Sequence, residues 1–482
     1  MIQPCYAYRV GRGVCLAFAL MIPIQPTAVE GQEGPLTLQD CLSIAMERNP
    51  LIRSAQERYQ ASLARIRSAR ALPQPSLDVD SDLMSTPTNL RGADERYVGI
   101  SQTIPFPGRT WLQGRVAQEE SAETLADADL QREELAFQVK TAFFGVLLAG
   151  ELLDHARQNL ELTRDFVRMT EVRYEAGDLA QVELVRARLE EAKAASDLRA
   201  KQNGVRLARS RMNFLLARES SEPLELEGEL KVPALQVDLD KLTTMALESR
   251  PEMHRINASM ARESLIKSQG YLSYLPDFDV GLAKHRQTGE DDTWDMTLSV
   301  SLPVFFWQPV RGEIAEANAN YRGLREEAAH LTNAIALEVQ EAFVDLTTAA
   351  DQISLFEEQI LNQAQEAYQM YEFAYQQGEI GAMDLIEARR TLNEARTSYA
   401  DALYTYDVAQ AGIEKSVGRP MEDQNHAQLP SQSGPLFGRD GRLLPDSLSG
   451  DSQPEPGYGP GRLRLRSRLR RGAGGGGGQP GG

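Results

Sequence analysis

Cysteine is scarce in this chain, with three residues in 482. Cys5 and Cys15 lie before or within a short apolar run at 14–24, leaving Cys41 alone, and a lone thiol closes no internal disulfide. Neither early cysteine follows that run, where a lipid-attachment cysteine would have to sit, so no lipid anchor is expected. Cationic charge is short too. The 51 Lys and Arg residues face 69 Asp and Glu, a formal net charge of −18 that argues against a nucleic-acid partner. Aromatic residues make up 7%, which suits a helix-rich chain better than a large all-β core. The 5 histidines, at 155, 254, 285, 330 and 426, lack the i,i+4 or cysteine spacing of a metal site. Met253-His254 follows a helix-initiating proline and reads as core or surface. No nucleotide-binding loop and no Gly-x-Ser-x-Gly elbow occurs, and Glu119-Glu120 and Glu190-Glu191 fall in coiled-coil stretches. Neither an enzyme nor a cofactor is expected, so any work the protein takes part in must be driven from elsewhere.

What is present begins with an export signal. Arg9 and Arg12 precede the apolar run VCLAFALMIPI, and small residues including Ala28 and Gly31 follow it. The run is too short for a membrane-spanning helix, which wants about 20 apolar residues. Residues 1–31 are therefore expected to be a signal peptide, cut after Ala28 or Gly31.

The rest is written twice. Tyr174, Gly177, Glu183 and Ala187-Arg188 recur as Tyr375, Gly378, Asp384 and Ala388-Arg389, 201 positions on. The same offset relates Leu38, Ala45 and Pro50 to Leu239, Ala246 and Pro251, and PSLDV at 75–79 to PDFDV at 276–280. TAFF at 141–144 matches EAFV at 341–344 within one residue of that offset. Solenoid repeats have periods of about 20–50 residues, so this spacing marks a duplicated half-protein. The expected organisation is a first repeat at 32–220, a second at 221–420 and a Pro/Gly/Ser-rich disordered tail at 421–482. The tail's basic run, RLRLRSRLRR at 462–471, suits an acidic surface such as peptidoglycan or lipopolysaccharide, or is an extension without function.

Each half carries one order of elements. Helical periodicity covers 37–71 until Pro73 and Pro75 stop it. Strict alternation then predicts strands at 76–84 and 96–105, and in the second half at 277–285 and 293–303, where Trp294, Met296, Leu298, Val300 and Leu302 oppose polar residues. Long helical stretches follow, from 109 to 175 and from 179 to 217. A run of that first length spans on the order of 100 Å. Leu135, Val139, Ala142 and Val146, with Val339, Ala342 and Leu346, form an apolar seam that points to a coiled-coil bundle or tube. The fold class expected is mainly α with a small transmembrane β part.

Strands of this length match those of transmembrane barrels. Four cannot close a barrel, and lipid tolerates no open edge. They either pack as soluble hairpins or are pooled among copies: two copies give eight strands, three give twelve, and only the larger number leaves an open lumen.

Over about residues 36–420 the pattern resembles the TolC family of outer-membrane efflux proteins. The resemblance rests on the Leu42–Pro50 opening and its duplicate, on Ser101-Gln102-Thr103-Ile104-Pro105 leading into Gly108-Arg109, and on the twin Tyr-x-x-Gly turns. Within the family, Gln102 and Gly108-Arg109 look nearest to the outer-membrane subunits of heavy-metal efflux systems. It implies a homotrimer with a twelve-stranded outer-membrane barrel over a long helical tunnel into the periplasm, working with a periplasmic adaptor and an inner-membrane pump. The cargo implied is metal cations, with other small toxic molecules next. It places the periplasmic aperture at Asp384 and Glu387, with Glu183 as the first-half equivalent. The tip turns and adaptor docking fall on Gly177, Asp178, Gly378 and Glu379, with Tyr174 and Tyr375 packed nearby. Each glycine is expected to supply the positive φ that ends a helix. The acids also suit an ordinary dipole-capping role, and Glu387 and Glu183 also suit solvated outer faces. The rival reading is a periplasmic helical adaptor or scaffold that binds partners through its coiled coils.

Overall fold

The computed structural model describes residues 34–81, 95–230, 238–287, 289–301 and 309–420. The signal segment, the tail with its basic run, and the predicted strand ends at 82–84 and 302–303 lie outside the described residues.

Helix α1 (Leu38–Arg48) starts on a capping box: the Thr37 hydroxyl accepts from the Asp40 backbone N–H, and the Asp40 carboxylate accepts from the Thr37 N–H. The single helix expected over 37–71 is in fact two. Pro50 occupies the first position of α2 (Pro50–Ala69), where its missing N–H costs nothing, and holds Asn49 extended at φ −63°, ψ 126°. Arg250-Pro251 makes the same break between α5 (Leu239–Ser249) and α6 (Pro251–Leu272).

The strands are β1 (Ser76–Ser81), β2 (Glu95–Ile104), β3 (Asp277–Gln287) and β4 (Thr293–Ser301). They form one antiparallel sheet in the order β1-β2-β3-β4, so the hairpins of the two repeats join through β2 and β3. Register sorts the side chains by face. One face carries the rungs Leu77–Ile100–Leu282–Met296, Val79–Val98–Lys284–Trp294 and Ile104–Phe278–Val300. The other carries Ser76–Ser101–Gly281–Thr297, Asp78–Gly99–Ala283–Asp295 and Thr103–Asp279–Ser299. The apolar face is uncovered: Leu77 is 69% exposed and Met296 77%.

From the sheet the chain enters α3 (Arg109–Glu175), a 67-residue helix about 100 Å long. Arg109 fixes this junction by pairing with Asp277 and donating to the Leu272 and Leu275 carbonyls, both at 3.0 Å. Past a turn at Gly177 the chain returns in α4 (Gln181–Leu215). In the second repeat α7 (Pro309–Leu355) and α8 (Leu361–Gln377) take the place of α3, and α9 (Ala382–Val417) that of α4. A π-turn at Phe356–Ile360 joins α7 to α8. Because a π-turn takes up an extra residue, it absorbs the shift from an offset of 200 at EAFV to 201 at Tyr375.

The cores are duplicated too. Cys41, Ala45, Leu135, Val139, Val146, Met212 and Leu216 form one cluster. Their counterparts Leu242, Ala246, Ile335, Val339, Leu346, Ile413 and Val417 form the other. Cys41 thus stands where the second repeat has leucine, and burial, aided by Asp40, pushes its thiol up to about 11. It packs as a small hydrophobe. Asp407, on α9, is a buried acid. Its Oδ2 has no hydrogen-bond partner among the described residues, and burial alone pushes its carboxyl up to about 7.

The folded state therefore holds the Asp407 proton more tightly than the unfolded chain does. Its contribution to stability is complete below about pH 4 and is lost as pH rises through 7. Asp407→Asn should match the native protein near pH 4 and exceed it at pH 8, by at most about 4 kcal/mol. Thermal melts in detergent across that range check this, and parallel pH profiles would refute it.

Candidate functional site

At the end of the helices remote from the sheet, both repeats make the same turn. In the first, the Asp178 N–H donates to the Arg173 carbonyl (2.9 Å) and the Gly177 N–H to that of Tyr174 (3.0 Å). In the second, the Glu379 N–H donates to the Ala374 carbonyl and the Gly378 N–H to that of Tyr375, both at 3.0 Å. Gly177 lies at φ 86° and Gly378 at φ 79°, the left-handed geometry expected of each. Alanine at either position should cost about 1–2 kcal/mol. Gly378→Ala should cost more than Gly177→Ala, because its methyl would sit 3.2 Å from Arg173 Nη2 while Gly177 faces open space. Equal losses of melting temperature would contradict this.

The four residues after the tyrosines look alike in sequence, but the tyrosines do not behave alike. Tyr375 is 1% exposed, between Phe166 at 5.6 Å and the Arg173 guanidinium, which lies 5.2 Å from its ring centre. Arg173 also donates to the Tyr375 carbonyl at 3.0 Å. Tyr174, expected to be packed, instead stands 37% exposed. The tip has one core, shared by Phe166, Val167, Ala187, Tyr375, Ala382, Leu385 and Ile386, and the second-repeat tyrosine fills it.

The arginines are equally asymmetric. Arg188 is exposed and pairs with Glu171 at 2.7 Å. Its counterpart Arg389 is buried over the Phe166 ring, and burial lowers its pKa against the raising influence of Tyr368 and Glu190. Arg173 and Arg389 were not among the expected site residues. The recurring Ala-Arg step signalled the second, while Arg173 has no counterpart, its equivalent being Ala374.

The acids divide the same way. Asp384 sits in the first turn of α9, where its carboxylate accepts from the Gly381 N–H at 3.2 Å. Glu387 lies one turn on, and both are exposed on the face opposite buried Leu385, Ile386 and Arg389. Neither forms a salt bridge with a described residue. Glu183 is different: it is half-buried and pairs with Arg186 at 3.3 Å. Arg186 occupies the position equivalent to Glu387, so the first repeat neutralises its own acid where the second presents two carboxylates with no cationic partner among the described residues. Asp178 and Glu379, the residues after the turn glycines, are both exposed.

An amphipathic sheet, one helical run about 100 Å long beneath it in each repeat and twin capped turns at the far end define a duplicated channel-type subunit. The model of the family described as outer membrane efflux protein matches residues 41–218 and 242–419, and the chain belongs to that family.

It is 26% identical over 413 residues to the cobalt-zinc-cadmium resistance protein CzcC of Cupriavidus metallidurans, covering 83% of this chain and 93% of that one. It is 23% identical to the outer membrane protein TolC of Escherichia coli, covering 77% and 80% respectively. Among solved structures, CusC shares the fold with a TM-score of 0.68 at 17% identity, over 79% of this chain and 92% of that one. The MtrE outer membrane channel of Neisseria gonorrhoeae does so at 0.67 and 17%, over 80% and 89%.

Proposed function

We propose that the protein is the outer-membrane exit duct of a tripartite efflux pump, a passive conduit formed by three copies whose sheets pool into one twelve-stranded barrel. The observation that carries this is the sheet. Its apolar face is largely exposed, with Leu77, Trp294, Met296 and Leu298 each standing open, and its edges on β1 and β4 pair with no described strand. A soluble scaffold would have to hide both; a barrel turns the face to lipid and closes the edges against neighbouring copies. Exposed apolar residues on the outer helices support the same closure lower down, with Val182, Val185 and Phe214 on α4 and Val344, Met370 and Phe373 on α7 and α8.

The opposite face of the sheet would line the lumen. It carries Asp78, Asp80, Asp279 and Asp295, and no Lys or Arg among the described residues. With Asp384 and Glu387 as the aperture acids, the path is anionic at both ends and favours cations. This fits metal cations as cargo, as does the resistance named for the relative from Cupriavidus. An inner-membrane pump supplies the work, and a periplasmic adaptor docks on the turns at Gly177-Asp178 and Gly378-Glu379. Residues 1–31 are the export signal, and the two matched repeats form the working part.

Membrane fractionation tests the duct. The exported chain should stay with outer membranes through a high-salt wash and leave them only in detergent. Release by salt alone would contradict it.

A further inference from the structure

At the hairpin end of the sheet, away from the helices, the apolar face changes character. The rung Val79–Val98–Lys284–Trp294 already holds one cation, and in the next Ser81 pairs Arg96, which pairs Arg286. Residues two apart on a strand share a face. Arg96, Lys284 and Arg286 therefore continue the face that carries Leu77, Ile100, Leu282 and Met296. Tryptophan at the first cationic rung is the residue that marks a membrane–water boundary.

Asp292 organises the group. Its carboxylate accepts from Lys284 Nζ at 2.7 Å and from Arg286 Nε and Nη2 at 2.8 and 3.1 Å. Arg96 forms no ion pair with a described residue, and its Nε is screened from solvent without a hydrogen-bond acceptor among the described residues. Glu290 and Asp291 sit in the turn beyond the last rung. On the lipid side of the strands, three cations thus face outward against one carboxylate.

We infer that Arg96, Lys284 and Arg286 form a binding site for the phosphate groups of outer-leaflet lipid. The inference rests on the barrel reading, which turns this face to the bilayer and its hairpin end to the outside. The apolar rungs below are continuous with the acyl chains, and the cations lie one rung higher, at the level of the headgroups. The Arg96 guanidinium has no ionic partner among the described residues, and its terminal nitrogens, unlike the screened Nε, can reach a phosphate. Asp292 occupies donors of both Lys284 and Arg286 and so competes with a phosphate for them.

The test uses the full exported protein in phosphatidylcholine vesicles doped with bis-phosphorylated lipid A, or with the same lipid after phosphate removal. Retained lipid per protein is counted by native mass spectrometry. The native protein should hold phosphorylated lipid A in preference to the dephosphorylated form. Each cation removed should weaken retention roughly five-fold, so R96Q loses about five-fold and the triple variant R96Q/K284Q/R286Q on the order of a hundred-fold. Asp292→Asn frees two cations and should raise retention, whereas a purely structural salt bridge would only lower the melting temperature. Equal retention of the two lipids, or an unchanged triple variant, overturns the site. Failure of the native protein to enter either vesicle overturns the barrel reading itself.

Discussion

Replacing Asp384 with Asn and Glu387 with Gln is expected to lower the cation-over-anion permeability ratio of single channels in planar bilayers roughly five-fold at low salt. A unit charge about 4 Å from an ion in water is worth about 1 kcal/mol, and a ring of such charges at a constriction acts on every passing ion. The amides keep the helix start, since the oxygen of the asparagine amide can still accept from the Gly381 N–H that Asp384 Oδ2 now takes at 3.2 Å. Charge is removed while the turn remains. The effect should shrink toward 1 M salt, where screening extends only about 3 Å. Glu183→Gln should change selectivity far less, because Arg186 already neutralises that acid at 3.3 Å. Unchanged selectivity in the double variant, or an equal effect of Glu183→Gln, would remove the second-repeat acids from the aperture.

The second large effect is expected of Tyr375→Ala. The side chain is 1% exposed, packs on Phe166 and lies under the Arg173 guanidinium, so its removal leaves a cavity in the one core that joins the two hairpins. Large-to-alanine changes of this kind cost about 3–5 kcal/mol. That exceeds what one small cluster can lose while staying closed, so the tip should loosen locally while the sheet and upper cores persist. Faster amide exchange confined to about residues 163–190 and 368–390, with higher single-channel conductance, is the expected result. Tyr375→Phe keeps the ring and gives up only a 3.4 Å contact of the hydroxyl with Thr170, so it should cost within about 1 kcal/mol. Native exchange rates in the alanine variant would show that the tip does not depend on this residue.

Much of this was legible in the sequence because duplication doubles every signal. Alternation at Trp294, Met296, Leu298 and Val300 gave both the strand and its faces, since period 2 leaves no other arrangement. Pro, Gly and acid in one register gave the twin turns. The break at Asn49-Pro50 was readable from the restriction that proline puts on its predecessor, though helical periodicity runs straight through it. The π-turn at Phe356–Ile360 is foreshadowed only by the slip from 200 to 201 in the repeat offset.

What sequence symmetry concealed is the asymmetry of packing. Tyr174 and Tyr375 occupy the same motif, yet only one core exists at the tip and one of them must stay outside it. Side-chain burial there depends on which hairpin the neighbouring helix belongs to, and no local pattern encodes that. The contrast between Arg186 and Glu387 was visible in the alignment of the halves. Its consequence lies in the pairing of Arg186 with Glu183, which the alignment does not encode.

In the proposed duct, β1 of one copy meets β4 of the next around a closed ring of three. Cysteines placed by Val79→Cys on β1 and Leu298→Cys on β4, treated with a short bivalent thiol reagent in native membranes, test it directly. Cys41 is buried, with its thiol held up to about 11, and should not interfere. Covalent species of two and three copies, and none larger, are predicted, with neither single-cysteine variant giving the three-copy species. Cross-links confined to one chain, an open-ended ladder, or no reaction between the strands would contradict the pooled barrel.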